Sequence, residues 1–146
     1  EEMAITANAI YDLSALSQST RNSGEKIQYT MKLYVKDDNG EYKQTNDISK
    51  YLSSFTLENA TLSSGLNGKE CVFTTDYNGE EQNTAVTKFT VKTGKAFEEQ
   101  GLTYANYRVE LTAVLLNDNN SVVNGTTSSD YVVYTNAKIE TGFINS

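Results

Sequence analysis

TYANYRVELTAVLL, residues 103–116, is the stretch that decides the fold. From Tyr107 onward, Val109, Leu111, Ala113 and Leu115 occupy every second position, with Arg108, Glu110 and Thr112 between them. Side chains of a β-strand alternate between its two faces, whereas a helix brings residues three and four apart onto one side. The spacing therefore predicts a strand over 105–117 with one dry face and one wet face. It assigns Tyr107 and Val109 to the interior as structural residues.

The same alternation recurs upstream. Ile27, Tyr29, Met31, Leu33 and Val35 share one side of a strand while Lys26, Gln28, Thr30, Lys32 and Lys36 share the other. Met3, Ile5, Ala7, Ala9, Tyr11 and Leu13 repeat the pattern. Further candidate strands lie at 41–45, 54–62, 69–75, 84–92 and 131–141. The segments between them carry turn chemistry: Asp37-Asp38-Asn39-Gly40, Leu66-Asn67-Gly68, Tyr77-Asn78-Gly79 and Asn117-Asp118-Asn119-Asn120. Asn-Gly tolerates the positive φ angles that tight hairpins demand. Two short helical turns are expected, at Asp47–Leu52 behind an N-capping Asp and at Lys95–Gln100 before Gly101. About eight or nine short strands separated by such turns predict an all-β antiparallel sandwich, with residues 1–146 forming a single domain.

Ala105-x-Tyr107-x-Val109 resembles the tyrosine corner of immunoglobulin-like domains, in which a Tyr sits two residues before the core position of the penultimate strand. The resemblance implies a Greek-key β-sandwich whose Tyr107 hydroxyl bonds backbone a few residues upstream. Val109 stands where antibody domains have Cys, Thr103 replaces the usual Asp, and the chain has no Trp, so an antibody-type domain is excluded. The implied family is that of disulfide-free modules of Gram-positive-type secreted and cell-surface proteins. For the last hairpin, setting Val109 opposite Ile139 places Leu111 against Ala137 and Leu115 against Val133 on the inner side. On the outer side it sets Glu110 against Lys138, Arg108 against Glu140, Thr112 against Asn136 and Val114 against Tyr134. Cross-strand energetics favour such complementary pairs.

Composition narrows the function. Hydrophobic residues make up 38% of the chain and charged residues 21%, as in a globular domain. No apolar run reaches the ~18–20 residues of a membrane helix. The net charge of −7 repels phosphate backbones, so neither nucleic acid nor membrane insertion is expected. One cysteine, Cys71, excludes an internal disulfide and alternates with Phe73 as a small buried hydrophobe. Residues 1–146 read as a piece of a longer protein.

There is no histidine, which removes the Ser-His-Asp and Cys-His nucleophile arrangements and most transition-metal sites. The paired acids Asp37-Asp38, Glu80-Glu81 and Glu98-Glu99 fall in turns or on an exposed helical turn, where no carboxyl is desolvated enough to act as a proton donor at neutral pH. An enzyme is not expected, and no cofactor. Asp37, Asp38, Asp76 and Glu80 are the candidate ligands for a Ca²⁺ ion, although hairpin-turn chemistry alone also explains them. The implied family often carries a Lys–Asn isopeptide cross-link, but alternation puts Lys26, Lys32, Glu110 and Asn136 on outward faces, away from the desolvation this chemistry needs.

A binding surface is left. Val114, Leu116, Val132 and Tyr134 fall on the outer side of the last hairpin and form the candidate partner-binding patch. The resulting expectation is an extracellular, non-catalytic structural or adhesive module whose partners are neighbouring domains or a protein or glycan ligand. A carbohydrate-binding module and a phage decoration or tail domain are the alternatives.

Overall fold

The computed structural model describes residues 2–37, 39–92, 107–123, 131–134 and 139–145. In chain order the elements are β1 (Glu2–Asp12), α1 (Gln18–Asn22), β2 (Lys26–Lys36), β3 (Tyr42–Gln44), a 3-10 turn (Ile48–Lys50), β4 (Leu52–Glu58), β5 (Thr61–Ser64), β6 (Glu70–Asp76), β7 (Gln82–Lys92), β8 (Tyr107–Leu116), β9 (Tyr131–Tyr134) and β10 (Ile139–Asn145). They form a four-stranded sheet, β10-β1-β7-β4, and a six-stranded sheet, β5-β6-β2-β8-β9, in which β3 pairs with the far end of β2. Consecutive strands β1 and β2 lie in different sheets, as do β6 and β7, and each of these four pairs with a strand distant in sequence. These connections are of the Greek-key kind, and the all-β sandwich of two sheets expected from the sequence is the observed architecture.

The interior follows from alternation. Tyr107, Val109, Leu111, Ala113 and Leu115 are all buried, and they face Ala7, Ala9, Tyr11, Ala85 and Phe89 of the other sheet together with Ile27, Tyr29, Met31 and Leu33 of their own. Tyr29 and Phe73 stack with ring centroids 5.3 Å apart. Burying a large apolar side chain of this kind contributes roughly 1.5–3 kcal/mol, so the shared interior is what holds the sheets together.

Each pole of the sandwich has its own closure. At one pole the 3-10 turn is capped by Asp47, which accepts from the Ser49 amide, and Tyr51 packs edge-on against Tyr107 at 5.9 Å. At the opposite pole α1, capped by Ser17, presents Arg21. The Arg21 guanidinium donates to the Leu16 carbonyl (2.6 Å), the Gly79 carbonyl (3.1 Å) and Gln18 Oε1 (3.2 Å). Below it Asn83 Oδ1 accepts from the hydroxyls of Tyr29 (2.7 Å) and Thr75 (2.8 Å).

The structure departs from the sequence expectation at four points. β8 pairs with β9 in the register Val109↔Val133 and Glu110↔Val132, six residues away from the register expected. Ile139–Asn145 does not continue that ribbon; it crosses to the other sheet and runs parallel to β1, from Thr6↔Ile139 to Asp12↔Asn145. The expected partners of Arg108 and Glu110 are thus replaced. β8 is a central strand, and its charge complementarity is met on its other side, where β2 sets Lys32 against Glu110 and Tyr34 against Arg108. The single candidate strand 54–62 is two strands in different sheets, divided at Asn59, whose φ of 59° turns the chain. Finally, α1 has no counterpart in the apolar periodicity, because Arg21 is its only buried residue. The expected helical turn at 95–100 lies outside the described residues, as do Ala105, Asn136, Ala137 and Lys138.

Candidate functional site

The outer face of the six-stranded sheet, toward the Tyr107 pole, gathers a cluster of polar and aromatic side chains. Strand register sets Gln44, Tyr34, Arg108 and Tyr134 in one row across β3, β2, β8 and β9. The Arg108 guanidinium carbon lies 4.2 Å from the centroid of the Tyr34 ring and 5.6 Å from that of Tyr42. A guanidinium over an aromatic face is held by the ring's quadrupole, more strongly as water is excluded. Glu110 braces the pair: its Oε2 is 3.8 Å from Arg108 Nη2, and its Oε1 accepts from the Tyr34 hydroxyl at 3.5 Å. The side chains of Arg108 and Glu110 retain only 26% and 13% of their accessible surface. Arg108 Nε is buried with no hydrogen-bond partner. One register step along, Lys32 stands opposite Glu110 and 3.9 Å from Glu70. The result is a stiff platform of two tyrosines and an arginine.

The patch expected from the sequence is not assembled as one surface. Val114 is half-buried beside Gln28, and Leu116 is buried, bridged by backbone to Val122 in the 117–123 turn. Val132 stands opposite Glu110 and Tyr134 opposite Arg108, toward the other end of β8. The six-residue change of register separates the two pairs. Of the four, Tyr134 joins the Arg108 row. Sequence reasoning missed Tyr34, Tyr42 and Arg108 as a group. The signals were a Tyr at an outward parity position of β2 and the 37–41 hairpin, which returns Tyr42 opposite Lys36.

A cleft of about 520 Å³ adjoins the platform, lined in part by Lys36, Lys43, Gln44, Asp47, Lys50 and Tyr51. Lys36 and Lys50 sit over the rings of Tyr42 and Tyr51 at 5.8 and 5.6 Å. At its rim Asp37 accepts from the amides of Asn39 and Glu41, both at 2.9 Å, and pairs with Lys43 at 3.0 Å. The Glu41 amide first, and Lys43 next, hold the Asp37 carboxyl below its ordinary range. In the 77–81 turn Glu80 Oε2 accepts from the Asn78 amide at 2.6 Å, while the Asp76 carbonyl accepts from Asn83. Among the described residues no three of His, Cys, Asp and Glu converge to hold a metal ion. Asp38 lies outside the described residues.

Tyr107 is buried at the sandwich end, and desolvation pushes its phenol up to about 12. The segment upstream, where a corner hydroxyl would find its backbone acceptor, lies outside the described residues. Burial pushes the Cys71 thiol up to about 11, which leaves it protonated and unreactive at neutral pH. Lys26, Lys32 and Glu110 all keep their outward positions, half-buried on the sheet surface.

No protein-family model matches the chain, and no curated protein matches it. Among solved structures, that of C. elegans Cep-1, the orthologue of human p53, aligns with a TM-score of 0.38 and 11% identity over 84% of this chain and 66% of its own length, just under two thirds. The collagen-binding domain from a Staphylococcus aureus adhesin aligns at 0.34 and 8% identity over 91% of this chain and 96% of its own. A structure concerned with Streptococcus parasanguinis adhesion by Fap1 fimbriae aligns at 0.42 and 16% identity over 93% of this chain and 68% of its own.

Proposed function

We propose that the chain is a non-catalytic structural or adhesive module of a secreted or cell-surface protein, spacing neighbouring domains or binding a protein partner. The observation that carries this reading is the parallel pairing of β1 with β10. Two parallel neighbours begin at the same side, so the polypeptide comes in at the Tyr107 pole and departs at the Arg21 pole. The eleven residues of β1, at about 3.3 Å each, make that passage roughly 35 Å long. A unit threaded in this way adds its full length to whatever precedes and follows it. The adhesive form of the reading uses the Arg108 platform, because Tyr and Arg are the side chains that most often dominate binding energy at protein interfaces. Tyr134 and Val132, which strand register sets opposite Arg108 and Glu110, are the residues of the expected patch that fall at the proposed docking face. No helix among the described residues is long and apolar enough to cross a membrane.

Two measurements test the proposal. Donor and acceptor fluorophores fused at the two ends should report a separation no shorter than the sandwich length; termini found side by side would contradict the threading. In the parent protein, replacement of this segment by a flexible linker of equal residue number should shorten the reach or abolish adhesion. Adhesion and reach both unchanged, together with no protein binding by the isolated chain, would remove the proposed role.

A further inference from the structure

We propose that, of the three Asn-Gly sites among the described residues, Asn67 is the one that loses its side-chain amide in the folded protein, and that this change loosens the Tyr107 pole. The chemistry is local. The backbone nitrogen of the following residue gives up its proton to solvent base and attacks Asn Cγ. The N–Cγ bond forms, the Cγ–Nδ2 bond breaks, and ammonia leaves with a proton taken from water. Water then opens the resulting succinimide at either ring carbonyl, giving aspartate or its backbone-shifted isomer. Glycine downstream favours the attack because no Cβ obstructs it. The chain has four Asn-Gly pairs, at Asn39, Asn67, Asn78 and Asn124, and the last lies outside the described residues.

The other two described sites are tied down. Gly40 donates its amide to the Asp37 carbonyl at 3.0 Å, and the Asn39 amide is held by Asp37 Oδ1. The attacking nitrogen at Asn39 is therefore already engaged. Around Asn78, Glu80 holds the Asn78 amide, Arg21 holds the Gly79 carbonyl, and Asn22 Oδ1 lies 2.7 Å from where a Gly79 Cβ would stand. All three side chains are exposed, and what sets Asn67 apart is the space and the amides around it: neither its own amide nor that of Gly68 donates to a group among the described residues, and nothing lies within 4 Å of a Cβ built on Gly68.

The consequence follows from what flanks it. The Leu66 and Gly68 carbonyls accept from the Ser49 and Ile48 amides at 2.8 and 3.0 Å, anchoring the 3-10 turn that buries Ile48 and leads into Tyr51. The isomerised product lengthens the backbone between those two carbonyls, so both anchors cannot be kept.

Site-resolved peptide mass spectrometry of the native protein, aged at mildly alkaline pH beside a urea-unfolded sample, tests the proposal. Conversion at Asn67 should run at least several-fold ahead of Asn39 and Asn78 in the folded chain, while the three proceed at similar rates when unfolded. Gly68→Ala is a clean control, because Gly68 has room for a Cβ and no positive φ. It should slow conversion at Asn67 several-fold, leave the initial Tm unchanged and prevent the fall in Tm of the aged protein. Asn39 or Asn78 converting first, equal rates in the folded chain, no conversion at Asn67, or an unaltered rate in Gly68→Ala would each overturn the proposal.

Discussion

Asn83 is a buried amide whose Oδ1 serves two hydroxyls from the opposite sheet, those of Tyr29 and Thr75, while its Nδ2 donates to the Asp76 carbonyl at 3.3 Å. A buried donor left without its acceptor costs about 1–3 kcal/mol. Asn83→Ala strands the Thr75 hydroxyl and leaves Tyr29 only the Asn83 backbone carbonyl at 3.2 Å, so it should lower stability by roughly 1–3 kcal/mol, read as a shifted urea midpoint at unchanged slope. The phenols themselves impose a pH limit. Desolvation pushes Tyr77 and Tyr107 up to about 12 and Tyr29 higher still, against an unfolded value near ~10. Above that unfolded value the unfolded chain binds fewer protons than the native one, so stability is complete below pH ~10 and falls as pH rises toward the native values. The share of phenolate absorbance that belongs to these three of the ten tyrosines should therefore appear only together with loss of the β-sheet circular dichroism signal. The absorbance of all ten phenolates with the sheet intact would mean that these rings are solvated. At this scale the sequence was informative: parity alone marked Tyr107, Val109 and Cys71 as interior. It gave no hint of Asn83, because a polar residue at an inward position is recognisable only once its partners across the sheet are known.

Among the described elements, the five-residue α1 depends most on a single residue. Arg21 reaches from it to two carbonyls, one of them 58 residues away in the 77–81 turn. Arg21→Ala should cost roughly 2–3 kcal/mol, and Arg21→Lys should fail to restore it, since an ammonium cannot serve the forked geometry. Equal stability of the lysine variant would show that charge rather than shape matters there. Next to α1, a Cβ on Gly24 would stand 2.3 Å from Leu115 Cδ1, so Gly24→Ala should be destabilising by about 1–3 kcal/mol through overpacking. Eight strands were legible because alternation needs only the chain itself. Two of them, 54–62 and 131–141, proved to change sheets partway, and alternation is blind to that, since parity can run unbroken through a crossover. At Asn59 there was a usable sign, because Asn accepts the left-handed backbone that the crossover needs. The 131–141 register was misjudged for a different reason: charge matching was weighed against one neighbour when β8 has two.

For the whole molecule, the pairing of the last strands is the feature most open to direct test. A cysteine pair replacing Glu110 and Val132 faces across the β8–β9 ladder and should close under mild oxidation, whereas a pair replacing Leu115 and Val133 should not, because cross-strand neighbours alone fall within disulfide reach. Cys71, buried and protonated, should take no part. The architecture was within reach of sequence reasoning, while the Arg108 platform was not, since it draws on three strands whose neighbourhood only the fold defines. The parallel seam between β1 and β10 carries one more consequence, for the case in which the two ends of this segment are drawn apart. Tension then enters at the start of β1 and the close of β10 and slides the two strands past each other along their length. The seven register pairs from Thr6–Ile139 to Asp12–Asn145 share that load at once instead of peeling away singly, so resistance to rupture should be high along this axis and far lower for a pull across it.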